Sequence, residues 1–339
     1  MNIKTEITQL HYTKEPKGAL FNLLKFCSFF YGIGSGLKNL LYDKGILKPQ
    51  KVGAYVISVG NFTTGGVGKT PVVAEIAKYF VEKGEKVCII SRGYGGKLNN
   101  KKVNVISDGV NLYYKADMAG DEPYWLAVNL NMCAVLTCAN RVKAAEYAIK
   151  ELGVTKIILD DAFQHRKIYR DLNIVLVDSE KMFGNENFLP AGPLREGLEG
   201  FGRIDKLVIV SKNIDHTRAE KLAKIMTKKQ RISSCVAKVE PDYVYNIVSG
   251  EHLEKGAEVT AISAIGQPEQ FYGFLEKDYK IKNKITFDDH HQYSLEDIKD
   301  IEGHIVTTEK DAVKLALLNR TNIYALKLKT VLDVKELVL

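Results

Sequence analysis

Predominantly apolar runs recur through the first two-thirds of the chain. They lie at residues 54–59, 86–90, 133–137, 156–159, 173–177 and 206–210. Runs of this length without polar alternation predict strands buried on both faces. Helical spacing fills the intervals. Val72, Val73, Ile76, Ala77 and Phe80 share one face, Trp125, Leu126 and Val128 belong to a second helix, and residues 142–152 form a third. Buried strands alternating with helices predict a parallel sheet covered on both sides. From about residue 235 the texture changes. The runs 235–239 and 243–247 alternate more, as half-exposed strands do. Strands at 259–262, 305–308 and 323–328, with helices at 268–277 and 309–318, predict a smaller α/β unit.

One apolar stretch stands outside this alternation. Residues 19–33 are apolar except for a narrow stripe at Asn22, Lys25 and Ser28. A helix of that length extends roughly 22 Å, short of the ~30 Å hydrocarbon core of a bilayer. Gly32, Gly34 and Gly36 are expected to interrupt it, before Leu37 to Tyr42 resumes with a lysine. Two readings stay open: an interfacial helix with flanking lysines, or a helix packed on the protein's own core. Residues 1–18 are polar and lack the pattern of a signal peptide.

The first buried run ends in Gly60, and Asn61, Phe62, Thr63, Thr64, Gly65, Gly66, Val67, Gly68, Lys69, Thr70 and Pro71 follow. Strand, glycine-rich turn and helix are the context of a phosphate-binding loop. Backbone N–H groups converge on phosphate oxygens, and the helix N-terminus adds its positive dipole end. Lys69 is expected to reach the β/γ-phosphates and Thr70 to ligate Mg²⁺. Pro71 suits a first helical turn. The spacing departs from G-x-x-x-x-G-K-[ST], because Thr63 stands where the first glycine belongs and Gly60 comes three residues early.

Composition narrows little. The 339 residues suffice for two domains with real cores, and 45% apolar with 26% charged residues is ordinary for a soluble protein. A net charge of +7 favours anionic partners. The five cysteines, Cys27, Cys88, Cys133, Cys138 and Cys235, form no Cys-x-x-Cys and sit mostly in apolar runs. Buried free thiols are expected, not a metal site.

Candidate chemistry clusters after the buried runs. Asp160 and Asp161 follow a strand, as metal-handling acids do behind a phosphate loop. Asp121, behind Gly120 at a helix start, could take a hydroxyl proton or merely cap its helix. His290, beside His291 and among acids, could serve acid–base chemistry or lie on the surface. Arg195 could clamp a phosphate and Glu196 serve the metal's outer shell, or the two could belong to a salt-bridged structural loop. Ligands of such sheets bind outside the strands' carboxyl ends, and the glycine loop, Arg92, Asp121, Arg141 and Asp160–Asp161 all fall there.

Taken in order, several stretches resemble the tetraacyldisaccharide 4′-kinase family. They are Val59 to Pro71, Ser91 to Gly96, Gly120 to Pro123, Asp160 to His165, Leu189 to Glu196, Asp289–His290 and Thr307 to Ala312. Thr63 is itself the family's form of the loop. Ala162 departs from an expected glycine, which matters only if that position needs positive φ. The resemblance implies a P-loop NTPase-like parallel sheet with helices on both faces, plus a smaller C-terminal α/β domain. Its parts would be an N-terminal membrane-docking segment (1–45), a kinase core (46–235) and a closing domain (236–339).

It implies transfer of the γ-phosphate of ATP, with Mg²⁺, to the 4′-hydroxyl of an acylated glucosamine disaccharide 1-phosphate. Asp121 is then the base and His290 its orienting partner. Thr63, Thr64, Gly65, Gly66, Val67, Gly68, Lys69, Thr70, Arg141 and Arg195 bind the nucleotide. Thr70, Asp160, Asp161 and Glu196 handle the metal. The implied partners are the acylated disaccharide lipid and an anionic membrane surface, with neither nucleic acid nor a protein partner. The implied location is the cytoplasmic face of the inner membrane. A P-loop switch ATPase usually carries a lysine before the two glycines, where this chain has Thr64.

Overall fold

A computed structural model of the chain describes residues 3–213, 215–266, 268–288 and 291–339. His290 and Asp289 lie outside the described residues. The first two helices are α1 (Ile3–Tyr12) and α2 (Ala19–Asp43). Strands β1 (Tyr55–Asn61), β2 (Val87–Ser91), β3 (Asn104–Ser107), β4 (Cys133–Thr137), β5 (Lys156–Asp160), β6 (Leu172–Asp178) and β7 (Lys206–Ser211) build the first part of the sheet. Helices α3 (Lys69–Glu82), α4 (Ala116–Ala119), α5 (Asp121–Asn129), α6 (Arg141–Leu152) and α7 (Thr217–Gln230) cover it. The remainder comprises β8 (Ser233–Asn246), β9 (Glu258–Ser263), α8 (Pro268–Leu275), β10 (Lys280–Thr286), β11 (His304–Thr308), α9 (Glu309–Leu315), β12 (Ile323–Val331) and α10 (Val334–Val338).

The twelve strands among the described residues join one sheet, in the order β10-β9-β11-β12-β8-β7-β6-β1-β5-β2-β4-β3. The ladder is parallel except where edge strand β3 meets β4 and where β12 meets β8. Alternate residues of β1 serve opposite faces: Ile57 and Val59 enter one apolar core, Val56 another. Both sides are covered, which is why the run lacks polar alternation.

The strand β8 joins the two parts. Its residues Ser233 to Lys238 pair in parallel with β7, and Lys238 to Asn246 pair antiparallel with β12. The boundary expected at 235/236 therefore falls inside a strand shared by both parts.

The N-terminal helix differs from expectation. It runs unbroken for 25 residues, through Gly32, Gly34 and Gly36. At 1.5 Å per residue that is about 37 Å, enough by length to cross a bilayer. Gly32 has a packing reason: a Cβ there would lie 2.8 Å from the Phe188 ring. The glycine lets that ring dock on the helix instead of breaking it.

Candidate active site

Three strand ends and one helix start define the site. β1 delivers the glycine loop, β5 delivers Asp160–Asp161, β4 precedes α6 with Arg141, and α5 presents Asp121. Val59 and Asp160 are register partners on adjacent parallel strands, so the loop and the acids leave the sheet side by side.

Helix α3 begins behind Gly68, whose φ of 96° is left-handed, and no side chain caps its first turn. A glycine is required there because a Cβ strains this conformation. Its first-turn N–H groups keep the orientation that binds an anion. Lys69 Nζ lies 3.2 Å from Asn61 Oδ1 and 3.4 Å from Asp161 Oδ1. On the far side, Lys212 donates to Gly66 O and, at 2.9 Å, to Asp178 Oδ2. The loop is thus pinned from both flanks.

The two off-pattern positions have separate causes. A Cβ on Gly60 would lie 2.7 Å from Phe163 N, so this glycine serves the close approach of the turn after β5. Thr63 is buried and extended, bridged antiparallel to Leu194. Thr64 N donates to Pro193 O (2.8 Å) and Arg195 N to Phe62 O (2.8 Å). A β-branched residue fits such pairing better than glycine. These bonds tie Thr63 and Thr64 to the 193–195 loop, a use beside the nucleotide contact expected of them. The Thr64 amide is spent on Pro193, and the Tyr12 hydroxyl takes Thr64 O at 3.2 Å. The turn available to phosphate starts at Gly65.

The acids differ in environment. Asp160 is 3% exposed, and its Oδ1 has no hydrogen-bond partner within the protein. Burial, reinforced by the Glu122 charge, pushes its carboxyl up to about 7. Asp161 stands at φ 51°, so the left-handed residue of this turn is the aspartate and not Ala162. The methyl of Ala162 is accommodated in the core. Burial pushes Asp161 up, but Lys69 and Arg195 more than offset it and hold it below the ordinary carboxylate value. Arg195 NH1 meets both oxygens of Asp161, at 2.8 and 2.9 Å.

A buried, unsatisfied carboxylate oxygen is costly unless a cation or proton meets it. Asp160, beside Asp161 and close behind the glycine loop, therefore fits a hard divalent ion. Among the described residues no group of three or more His, Cys, Asp or Glu side chains could hold a metal. Mg²⁺ commonly takes one or two carboxylates and completes its shell with phosphates and water. Thr70 lies in the first turn of α3, where its hydroxyl can join that shell.

Glu196 is used differently from the expectation that it handles metal. It is 1% exposed, and its carboxylate accepts Asn39 Nδ2 (3.0 Å), Gln164 Nε2 (2.9 Å) and the Arg203 guanidinium. Gln164 Nε2 also donates to Asn61 O at 2.8 Å. Glu196 thus braces the loop through Gln164 and Asn61. These bonds favour the structural-loop alternative for Glu196, while Arg195 reaches Asp161.

Arg141 is buried, and its NH1 donates to Cys138 O at 3.0 Å and Ala139 O at 3.3 Å. Burial, with the Arg92 charge next, lowers it to about 10, still a cation at neutral pH. Its Nε has no protein partner. The Ser91 to Gly96 loop is built against the Asp121 turn: a Cβ on Gly120 would lie 2.8 Å from Tyr94 O, and one on Gly96 2.6 Å from Met118 O. Asp121 is the first residue of α5, behind Gly120 at φ 94°, and no side chain caps that helix. Its Oδ2 pairs with Lys314 Nζ at 3.2 Å, so this carboxylate is engaged in an ion pair.

Sequence reasoning missed Lys314, Asn61, Gln164 and Lys212. Gln164 and Asn61 sat inside quoted motifs, but their donors and acceptors depend on loops distant in sequence. Lys314 lies in the helix expected at 309–318, just beyond the Thr307 to Ala312 stretch, and no local pattern marks it.

Helix α2 is stitched to this site along one face. Ser28 Oγ donates to Phe188 O (2.7 Å) and accepts from Ala191 N (2.9 Å). Tyr31 and Ser35 hydroxyls donate to Arg195 O (3.0 and 3.3 Å), and Lys38 Nζ to Gln164 O (2.8 Å). The remaining surface exposes Phe26, Phe29, Phe30, Ile33, Leu37 and Leu40.

Comparison with known proteins agrees with this architecture. The family model for tetraacyldisaccharide-1-P 4′-kinase matches residues 20–338. The chain is 34% identical over 334 residues to tetraacyldisaccharide 4′-kinase of Syntrophus aciditrophicus, covering 92% of this chain and 89% of the relative. It is 37% identical over 320 residues to the enzyme of that name from Halothermothrix orenii, covering 87% and 83%. The crystal structure of LpxK from Aquifex aeolicus, described as in complex with ATP, aligns with a TM-score of 0.73 and 33% identity, covering 94% of this chain and 96% of that one.

Proposed function

The chain belongs to the tetraacyldisaccharide-1-P 4′-kinase family, and from that membership we propose how its residues divide the work of an ATP-dependent lipid A 4′-kinase. The reaction moves the γ-phosphate of ATP to the 4′-hydroxyl of an acylated glucosamine disaccharide 1-phosphate. The observation that carries the assignment of roles is the orphaned Oδ1 of buried Asp160 beside the Lys69–Asp161–Arg195 cluster.

Gly65 to Thr70 cradle the donor phosphates, and Lys69 screens their charge. Arg141 supplies a further cation on the β4 side. Thr70, Asp160 and Asp161 would hold Mg²⁺, which would supply positive charge to the phosphates. Asp121 accepts the proton of the attacking hydroxyl, and His290, as the family resemblance has it, orients that base. Arg195 keeps Asp161 ionised and aimed at Lys69. The smaller C-terminal part closes over the cleft.

The membrane side follows from α2. Its apolar face is exposed while its polar face is bonded to the 188–196 loop, so crossing a bilayer would strip those bonds. Lying in the interface satisfies both faces. Exposed Lys14, Lys17, Lys25, Lys44 and Lys48 around the helix complement an anionic surface. This supports peripheral or monotopic attachment at the cytoplasmic face of the inner membrane, where the acylated substrate lies.

The test follows label from γ-labelled ATP to a lipid-linked glucosamine disaccharide, with wild type and Asp121→Asn. Wild type should label the lipid. Asp121→Asn should lose turnover at least about 100-fold, within the usual worth of a general base, while holding ATP within about threefold of wild-type affinity. Label released to water equally fast with and without the lipid would replace the kinase reading with that of a switch ATPase.

A further inference from the structure

The C-terminal part of the chain grips α5 at both ends, each time with a lysine. At the C-terminal end, Lys327 of β12 donates to Asn129 Oδ1 at 3.3 Å and pairs with Glu309 Oε1 at 2.7 Å. Its ammonium lies 5.9 Å from the Trp125 ring centre. At the N-terminal end, Lys314 of α9 meets Asp121 Oδ2 at 3.2 Å and donates to the carbonyl of His291 at 3.3 Å. Lys314 is 6% exposed, so its charge depends on these partners rather than on water.

The helix that carries it is itself anchored. Thr308 caps α9 by accepting Asp311 N at 3.1 Å. Asp311 Oδ2 accepts Thr308 Oγ1 at 2.9 Å and, from the end of β9, Ala264 N at 3.0 Å. The ammonium is therefore delivered from a fixed base. It joins an acid on the first part of the chain to the His291 carbonyl on the second.

We propose that Lys314 is a positioning residue for phosphoryl transfer. It holds the Asp121 carboxylate through Oδ2 and the His291 carbonyl beside it, so one side chain couples the orientation of the acid to the placement of the C-terminal part. A compact ammonium can serve a carboxylate and a carbonyl in different directions, whereas a planar guanidinium favours two parallel bonds to one carboxylate. The proposal rests on Asp121 being the proton acceptor.

The experiment uses the full chain and four variants: Lys314→Met, Lys314→Arg, Lys327→Met and Asp121→Asn. It measures kcat, KM for ATP and for the lipid acceptor, ATP affinity and Tm. Misplacing a reacting group by about 1 Å costs on the order of 10²-fold. Lys314→Met should lower kcat by about that factor and leave ATP affinity within about threefold. Lys314→Arg should recover part of kcat. Lys327→Met removes the grip on the opposite end of the same helix from Asp121, so it should lower Tm and keep kcat within about threefold.

The proposal is overturned if Lys314→Met keeps near-parental kcat, or if kcat follows Tm alike in both lysine variants. If Lys314→Met does not fold, Lys314→Gln carries the same comparison, since it retains a hydrogen-bond donor. Asp121→Asn separates the two levels. Retained turnover there removes the base assignment and this proposal with it. An inactive Asp121→Asn beside a fully active Lys314→Met removes only the role of Lys314.

Discussion

Glu196→Gln discriminates a bracing role from a metal role. Three donors converge on this carboxylate, from Asn39, Gln164 and Arg203. A carboxylate accepts all three, since both of its oxygens are acceptors. The amide has one oxygen, and its NH₂ must face at least one of those donors. The Arg203 guanidinium, largely buried, also loses its counter-charge. Breaking a buried ion pair by removing one partner costs about 3–5 kcal/mol. For 339 residues, unfolding entropy at about 2.1 cal/mol/K per residue comes to about 0.7 kcal/mol/K. A loss near 4 kcal/mol therefore lowers Tm by about 6 °C. Thermal melts without nucleotide read this directly, and Mg²⁺ titrations of activity below the melt give the contrast. The bracing role expects a large fall in Tm with little change in the Mg²⁺ concentration for half-activity. An unchanged Tm with a many-fold higher Mg²⁺ requirement would refute it.

Two more perturbations follow from the geometry. Asp160 titrates near 7 in the folded chain, above the ordinary 3.8; its folded form favours the proton, so its contribution is full below about pH 4 and is lost as pH rises toward 7. Asp160→Asn cannot ionise, so in nucleotide-free denaturant melts it should gain on wild type by on the order of 1 kcal/mol per pH unit across that window, and a pH-independent difference would contradict the burial argument. Phe29→Asp with Phe30→Asp removes two exposed rings from α2 worth about 2 kcal/mol each when buried in lipid; partitioning onto anionic vesicles should fall on the order of 10³-fold with Tm unchanged, and wild-type co-sedimentation by this variant would rule out the docking face.

Much of the fold was legible because its signals are local. The interiors of β5 and β6, Ile157 to Leu159 and Ile174 to Val177, are unbroken apolar runs and β1 is interrupted only by Ser58 before its glycine, as strands buried on both faces require, and the glycines before Lys69 announce an anion-binding turn. Asp160 and Asp121 were legible as candidates because each follows an element that points its end at the same edge. The α2 helix was misjudged as interrupted. Glycine propensity costs about 1 kcal/mol per residue, and the hydrogen bonds of Ser28, Tyr31, Ser35 and Asn39 to distant loops offset it.

The sequence alone determined the kind of protein: buried parallel strands, a phosphate loop, and acids where a nucleotide's phosphates need them. These are properties of periodicity and of spacing within a dozen residues. Tertiary structure decided what each side chain is committed to. It placed Thr63 in a pairing with Leu194, gave Glu196 to three donors, left Asp160 Oδ1 without one, and brought Lys314 to Asp121. A charged side chain's role depends on which groups share its buried surroundings. Those groups arrive from chain segments up to nearly two hundred residues away, brought together by the sheet order.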